Sequence, residues 1–470
     1  MWRYLAILGL LCLTAAALSQ DDPQSGGIEA YLDRAVPRAA APGLAYALLE
    51  NGDLQRGERG ERVAGSGQPV TEDTPFALGS ISKSFTALAI MQLVETGRVD
   101  LDQGIGGYLD VFDGQPGGTV TIRQLLSHTS GYSTLQGNPS HTDRTGRADE
   151  LANRVRQLAM TAPAGEAGSQ WQYSNANYLI LGVLTETVSG LEFGDYIETR
   201  ILEPLGMDDS FVADGEMHEA MAVGHTPWFG GRRPVADRRT ARAMAPAGGV
   251  MASAADVARY LAMMMNGEDD LISAEHKAMM IRPASAASPH YGFGWFLDAE
   301  ADAAYHTGLT PGVETLAILS RSEPRGGVVL VNANSGMGFG VTGDILSGVA
   351  ALALGDTPQS GGNHLGAKSL YLMLLVLPVL FLAGIATAWI RRDGLRAKSG
   401  AFGLFSLVFP LVATVAMAWV FVDLVPRLFG VPLATFSLYQ PDMTILLIAS
   451  SVCGVGFAVF RLAVAYSGRK

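Results

Sequence analysis

Cysteine is almost absent: the chain has two in 470 residues, Cys12 and Cys453. Both lie in apolar stretches near the ends. The long region between them has no thiol, which excludes a disulfide framework, a cysteine zinc site and a cysteine nucleophile there. Charged side chains are scarce too, at 17% against 48% apolar. That balance excludes a disordered chain and is apolar for a wholly soluble one. Basic residues are outnumbered, 33 to 45, for a net charge of −12, which argues against a nucleic-acid partner. Several catalytic signatures are missing: H-E-x-x-H, a P-loop and a G-x-S-x-G elbow. The eight histidines show no metal-ligand spacing, so neither metal nor cofactor is expected. No internal repeat or low-complexity tract is present.

The two ends of the chain differ from its middle. Arg3, the apolar core Leu5 to Leu13 and the small residues ending Ala17-Leu18-Ser19 read as an export signal over residues 1–19. Near the other end, three long runs read as membrane spans: Leu370 to Ile390, Ala401 to Val422 and Met443 to Tyr466. Each is long enough to cross about 30 Å of hydrocarbon. Arg391, Arg392, Arg396 and Lys398 fall between the first two, and Arg469 and Lys470 follow the last. The loop Asp423 to Asp442 has only Arg427 against two aspartates. Positive loops stay cytoplasmic, so the first and third spans run inward and residues 20–357 lie outside the cytoplasmic membrane. Residues outside Gln20–Lys368 include nine Lys/Arg and three Asp/Glu, leaving 24 basic against 42 acidic in the exported part, net −18. The stretch Gly355 to Gly366 is rich in Gly, Pro, Ser and Asn and reads as a linker. The resulting division is signal 1–19, exported domain 20–357, linker 358–368 and membrane tail 369–470. The loop Phe429 to Tyr439 is apolar enough to rest on a membrane surface.

Within the exported part, Leu44–Glu50 and Arg56–Gly60 read as strands around Asn51-Gly52-Asp53. Strand-like runs return at Thr315–Ser320 and Val328–Asn332, with helical patterns such as Ile180–Ser189 between. Strands at both ends and helices in the middle predict an α+β domain with an inserted helical lobe.

Three short motifs carry candidate chemistry. The first is Gly79-Ser80-Ile81-Ser82-Lys83-Ser84-Phe85, where a helix is expected from Ser80 to Glu95. Its apolar residues cover most of its circumference, so it should be buried, and a buried unpaired ammonium is costly. Ser80 and Lys83 share a face at i and i+3. Burial and the helix N-terminus lower a lysine pKa, and a neutral Lys83 could take the proton of Ser80 and make it a nucleophile. Read alone, the motif also fits a helix cap with a snorkelling lysine, and Ser467 to Lys470 repeats the pattern at the chain end. The second is Tyr173-Ser174-Asn175 at a loop-to-helix junction: the phenol could relay a proton and the amide could bind a substrate amide, or the two could be a packing aromatic and a cap. The third is His306-Thr307-Gly308, placed just before the strand Thr315–Ser320. His306 could orient substrate or assist proton transfer, or be structural, and Gly308 could admit a ligand close to the backbone. His128, in Leu125 to Gly131, reads as part of a structural loop.

These motifs, in this order, resemble the serine β-lactamase and D,D-peptidase superfamily, in its class C β-lactamase-like branch, peptidase family S12. Thr74-Pro75-Phe76, Leu125 to Gly131, Tyr173 to Gly182, Pro204-Leu205-Gly206-Met207, Pro246 to Ser253 and Tyr291 to Trp295 extend the likeness over about residues 28 to 350. The resemblance implies an antiparallel sheet flanked by helices and an acyl-enzyme on Ser80. It implies that Lys83 and Tyr173 handle the protons, with the choice of base open between them, and that Asn175 touches the substrate amide. It gives the oxyanion hole to the backbone N–H groups of Ser80 and Leu309. One residue departs from the pattern: true class C β-lactamases open the third motif with lysine, and here it is His306. That resembles esterases, D-aminopeptidases and other S12 hydrolases, and it puts in doubt recognition of a β-lactam or D-alanine carboxylate. An S12-like domain with three C-terminal membrane helices is similar to prodrug-activating peptidases of nonribosomal-peptide pathways, such as the colibactin peptidase, which remove an N-acyl-D-asparagine cap. The sequence therefore predicts a membrane-anchored serine hydrolase, a peptidase or amidase on a small-molecule or peptide substrate. An esterase or weak β-lactamase is the alternative enzyme. A non-catalytic sensor that binds β-lactams or wall peptides is the alternative class. Oligomeric state is not indicated.

Overall fold

The computed structural model describes residues 27–142, 147–359 and 361–467. The export signal expected at 1–19 lies outside the described residues. Among the described residues eleven strands follow in chain order: β1 Gly43–Glu50, β2 Asp53–Gly60, β3 Phe76–Ala77, β4 Phe211–Val212, β5 His225–Trp228, β6 Gly231–Pro234, β7 Val250–Ala252, β8 Phe296–Asp298, β9 Ala303–Thr310, β10 Val313–Ser320 and β11 Arg325–Val331. Six of them form one antiparallel sheet in the order β2-β1-β11-β10-β9-β8. The β1–β2 hairpin turns at Asn51 and Gly52, both with positive φ, which is the residue pair a tight hairpin favours. Chain-end strands therefore meet at the sheet centre: Leu44 pairs with Val331. The helical lobe enters between β2 and β8.

Helices cover both faces of the sheet. On one, α1 (Ile28–Ala39) and a later helix, Gly343–Ala353, bury Ile28, Leu32, Ile345 and Val349 against Leu44, Tyr46, Leu316 and Val329. On the other lies the main core, with α2 (Ser82–Glu95), α3 (Asn175–Ser189) and α4 (Ala254–Met265). Nearly every residue of α2 is buried, Lys83 included, as an all-round apolar helix requires. The helix expected from Ser80 opens instead as a tight turn over Gly79–Ile81, with α2 regular from Ser82. Gly79 sets that turn with φ +56°, a conformation disfavoured for residues with a Cβ.

Beyond the sheet domain stand α5 (Leu365–Ile390), α6 (Gly400–Trp419), α7 (Leu433–Tyr439) and α8 (Pro441–Tyr466). Three helical stretches, Leu365–Ile390, Gly400–Leu428 and Pro441–Tyr466, are long and apolar enough to cross a membrane. Gly454 on α8 lets the three meet, since a Cβ there would lie 2.9 Å from Met417 and 3.1 Å from Phe381. The linker expected at 358–368 is shorter, because Leu365 already opens α5 and His364 pairs with Asp344 at 3.1 Å. The loop Phe429 to Tyr439 turns back onto the sheet domain: Gly430 accepts a hydrogen bond from Asn138, and Gln440 donates to the Ser335 carbonyl. Asp442 fastens the same junction, accepting from Tyr371 at 2.7 Å and from the Phe229 N–H at 2.9 Å.

Candidate active site

Ser80 and Lys83 meet as the i, i+3 spacing requires: Nζ lies 3.0 Å from Ser80 Oγ. The amine also donates to the Ala247 carbonyl at 2.6 Å and sits over the rings of Tyr173 and Tyr178 at 5.0 and 5.6 Å. Lys83 is fully buried, and no carboxylate pairs with it among the described residues. Burial alone holds its pKa well below the ordinary 10.5, since the charged form loses its water. The side chain of Ser82 accepts from the Val250 N–H at 2.9 Å, tying the Ser80 turn to β7.

Tyr173 comes in from the junction before α3, with its ring 5.0 Å from the Lys83 amine. Burial raises the phenol pKa far above 10.0. The loop around His128 holds this junction in place. His128 has φ +58°. Its Nδ1 accepts from the Ser174 N–H at 3.2 Å and from Asn177 Nδ2 at 2.9 Å, and Ser130 donates to Asn177 Oδ1 at 2.5 Å. The Tyr173 carbonyl accepts from Thr134 Oγ1 at 2.6 Å. Asn175 donates through Nδ2 to Asn138 Oδ1 at 2.9 Å.

The third motif lies on its own strand, β9, rather than leading into β10. The two strands pair with Ala317 opposite His306 and Thr315 opposite Gly308. Alternation then turns His306 and Gly308 inward and leaves Thr307 and Leu309 exposed. His306 is therefore not an open substrate contact. Its Nδ1 donates to the Thr307 carbonyl at 2.7 Å, and Nε2 accepts from Tyr291 at 3.2 Å. Burial, with the Lys83 amine adding to it, pushes its pKa down to about 3, so the ring is neutral at neutral pH. Gly308 is required by protein, not ligand: a Cβ there would lie 1.9 Å from the Leu78 carbonyl oxygen and 2.1 Å from Thr315 Oγ1. The same close passage brings the Leu309 amide beside the Gly79–Ser80 turn, 2.6 Å from where a Cβ on Gly79 would stand.

Ser80 and Leu309 open onto a cavity of about 530 Å³, walled also by Met244, His141 and Tyr439. His141 and Tyr439 were not candidates in the sequence. No local motif marks them, and Tyr439 belongs to the C-terminal helical tail, 298 positions from His141.

An antiparallel sheet backed by helices, with Ser80, the buried Lys83 and Tyr173 gathered beside β9, defines the β-lactamase and penicillin-binding class of serine hydrolase folds. The beta-lactamase family profile matches residues 28–351, and the chain belongs to that family. Protein flp of Staphylococcus aureus (strain MRSA252) is 26% identical over 329 residues, covering 68% of this chain and 64% of flp. The chain thus spans under two thirds of that relative's length. Penicillin-binding protein 4 of Amycolatopsis lactamdurans is 34% identical over 233 residues, covering 48% of this chain and 60% of that protein. Among solved structures, the octameric penicillin-binding protein homologue from Pyrococcus abyssi superposes with a TM-score of 0.62 at 26% identity, covering 70% of this chain and 77% of its own. A D-stereospecific amidohydrolase from Streptomyces sp. gives 0.53 at 25%, covering 65% and 93%.

Proposed function

We propose that the protein is a membrane-anchored serine hydrolase that forms an acyl-enzyme on Ser80. Its substrates in this reading are D-amino-acid-containing or acylated peptides, cleaved as amides outside the cytoplasmic membrane. The observation that carries the proposal is a fully buried Lys83 without a carboxylate partner among the described residues, 3.0 Å from Ser80 Oγ.

The steps follow from the two shifted groups. Burial lowers the amine and raises the phenol, which favours neutral Lys83 as base and Tyr173 as acid. Lys83 takes the hydroxyl proton as Oγ adds to the carbonyl carbon. The N–H groups of Ser80 and Leu309 receive the developing oxyanion. Tyr173 hands a proton to the departing amine and regains one by way of Lys83. Water then adds to the acyl-enzyme by the same route in reverse. A neutral His306 offers no cation to a substrate carboxylate, which supports amide substrates without one at that point. The similarity to a D-stereospecific amidohydrolase supports the same choice. The basic residues between the first two spans, Arg391, Arg392, Arg396 and Lys398, support an inward loop and hence an extracytoplasmic catalytic domain.

The test is intact-mass analysis of the full-length protein in detergent after treatment with a fluorophosphonate, beside Ser80→Ala. One adduct on the wild type and none on the variant is expected. A folded wild type that takes no adduct overturns the hydrolase reading and leaves a binding module. Turnover of esters or penicillins without amides replaces the amidase by the esterase or β-lactamase alternative.

A further inference from the structure

The β5–β6 hairpin ends in an exposed aromatic and basic tip beside the helical tail. Trp228 pairs with Gly231 across it, so Phe229 and Gly230 alone make the turn. Both have positive φ, +46° and +84°. Such a turn favours Asn, Asp or Gly at its first place, and a bulky residue with positive φ is an outlier. Phe229 nevertheless stands there, 44% exposed. Its ring meets that of Trp228 edge-on, with centroids 5.0 Å apart. The two arginines that follow are used differently. Arg232 turns inward and donates to the carbonyls of Asn334, Gly340 and Ala39, fastening the hairpin to the sheet domain. Arg233 is exposed and lies over the Trp228 ring at 3.7 Å.

The tip is tied to the tail at a definite depth. The Phe229 N–H donates to Asp442 Oδ2, which also accepts from the Tyr371 hydroxyl. Asp442 is the second residue of α8, and Tyr371 lies on α5. Beside them both helices already present exposed apolar side chains: Leu370, Leu372 and Met373 on α5, and Ile445 on α8. Ile445 follows Asp442 by about 4.5 Å of helix. The Phe229 backbone is therefore held level with the lipid-facing side chains of two candidate spans. Aromatic rings at that level collect at the boundary between headgroups and chains. An arginine there can lay its stem on apolar surface and keep its head among the phosphates. At its base the hairpin reaches the cavity onto which Ser80 opens. Gly224 and Val235 line that cavity, and the Val235 N–H donates to the Gly224 carbonyl at 2.8 Å.

We propose that the tip of the β5–β6 hairpin is a membrane-surface anchor. Trp228 and Phe229 enter the boundary between headgroups and chains in the leaflet where α8 begins, and Arg233 meets a lipid phosphate there. The partner is the phospholipid bilayer itself. Lipid removes the exposed phenylalanine from water, which gives a reason for an aromatic residue in a strained turn. The anchor also fixes the Gly224 and Val235 wall of the cavity relative to the bilayer. The inference rests on the reading of Pro441–Tyr466 as a membrane span and is independent of the chemistry at Ser80.

The test uses the full-length protein, carrying Cys12→Ala and Cys453→Ala, in nanodiscs of phosphatidylcholine and phosphatidylglycerol. Gly231→Cys places a nitrobenzoxadiazole dye beside the tip and keeps Trp228, Phe229 and Arg233. A Cβ there meets only the Trp228 carbonyl oxygen, at 3.5 Å, so the fold should hold, and an unchanged unfolding temperature checks it. Ile445→Cys reports the span, and the exposed Asp53→Cys, in the β1–β2 hairpin, is the control. A lipid nitroxide near the headgroup is expected to quench the dye at residue 231 about twofold or more, and more than a nitroxide deep in the chains does. The dye at residue 445 should be quenched and that at residue 53 should not. Adding Phe229→Ser or Arg233→Glu should each cut the quenching at residue 231 by about half or more. No quenching at residue 231 with quenching at residue 445 overturns this inference alone; no quenching at either overturns the span as well. A dye at residue 231 that is shielded from aqueous iodide but untouched by lipid nitroxides means that a protein covers the tip, which overturns the proposal. Quenching that both added substitutions leave unchanged overturns it too.

Discussion

Replacing Lys83 by methionine should make the protein more stable and inactive at once. The amine is fully buried and has no carboxylate partner among the described residues. For the folded chain to hold it neutral at pH 7.5, the proton must leave a group whose ordinary pKa is 10.5. Three units at about 1.4 kcal/mol each make that about 4 kcal/mol against folding. Methionine fills similar space without it. The variant loses the bond to the Ala247 carbonyl, and an orphaned buried acceptor costs about 1–3 kcal/mol. The balance is a gain of about 1–3 kcal/mol for Lys83→Met at pH 7.5.

The sign with pH follows from linkage. The folded-state pKa is depressed, so between it and 10.5 the unfolded chain binds one more proton than the folded one. Stability of the wild type then rises by about 1.4 kcal/mol per pH unit across that window relative to Lys83→Met. Acylation of Ser80 needs the neutral amine, so its rate should fall only in acid, below the depressed pKa, and stay level from neutral pH upward. The assay is thermal unfolding of both full-length proteins in one detergent from pH 7 to 9.5, followed by the fluorescence of Trp171, Trp228 and Trp295 in the sheet domain. Fluorophosphonate labelling is measured alongside. The reasoning is refuted if Lys83→Met is less stable at pH 7.5, or if the two curves run parallel with pH. Either result would mean that Lys83 is charged in the folded protein and is not the base.

Gly308→Ala drives a methyl group into the Leu78 carbonyl. It should cost about 1–3 kcal/mol in unfolding free energy and, by shifting β9 and the Leu309 amide, slow acylation about 100-fold. Full labelling at wild-type stability would contradict this. Tyr173→Phe should lower amide turnover by about 10²–10⁴-fold and slow fluorophosphonate labelling far less, since fluoride leaves without a proton; equal losses in both assays would remove Tyr173 from the acid role. Asp442→Ala strips the acceptor shared by Tyr371 and the Phe229 N–H. It should loosen the tail from the sheet domain, seen as faster proteolysis in the linker before Leu365, and unchanged cleavage would mean other contacts hold the junction.

The parts of the site carried by local spacing could be read from the sequence. Ser80 and Lys83 share a face because they are three apart, and Lys83 is buried because α2 is apolar all round. Tyr173 was placed at a loop-to-helix junction, and there it is. The β9 strand was not legible in the same way. Its eight residues mix small and polar side chains, and only pairing with β10 makes it a strand and turns His306 inward. Gly308 looked like an opening for ligand, but its neighbour is the Leu78 carbonyl, a contact 230 positions away. The tail's share was out of reach altogether. The loop after Phe429 could be seen to be apolar, but no pattern pairs Gly430 with Asn138 or Tyr439 with His141.

The buried groups of the centre share one electrostatic property. Burial pushes Lys83, His128 and His306 down and Tyr173 and Tyr178 up, each toward its neutral form. The Lys83 amine adds to the lowering of both histidines, and His306 adds to that of His128. A resting site without formal charge in a dry setting has a consequence for both catalysis and selection. Charge appears only when Oγ adds to the carbonyl, as an oxyanion beside an ammonium, and low polarity strengthens the attraction between them. His306 is buried and neutral, so β9 presents no cation at that position to pair with an arriving carboxylate. In the proposed reaction, histidine in place of lysine removes an attraction for acids rather than adding a new contact.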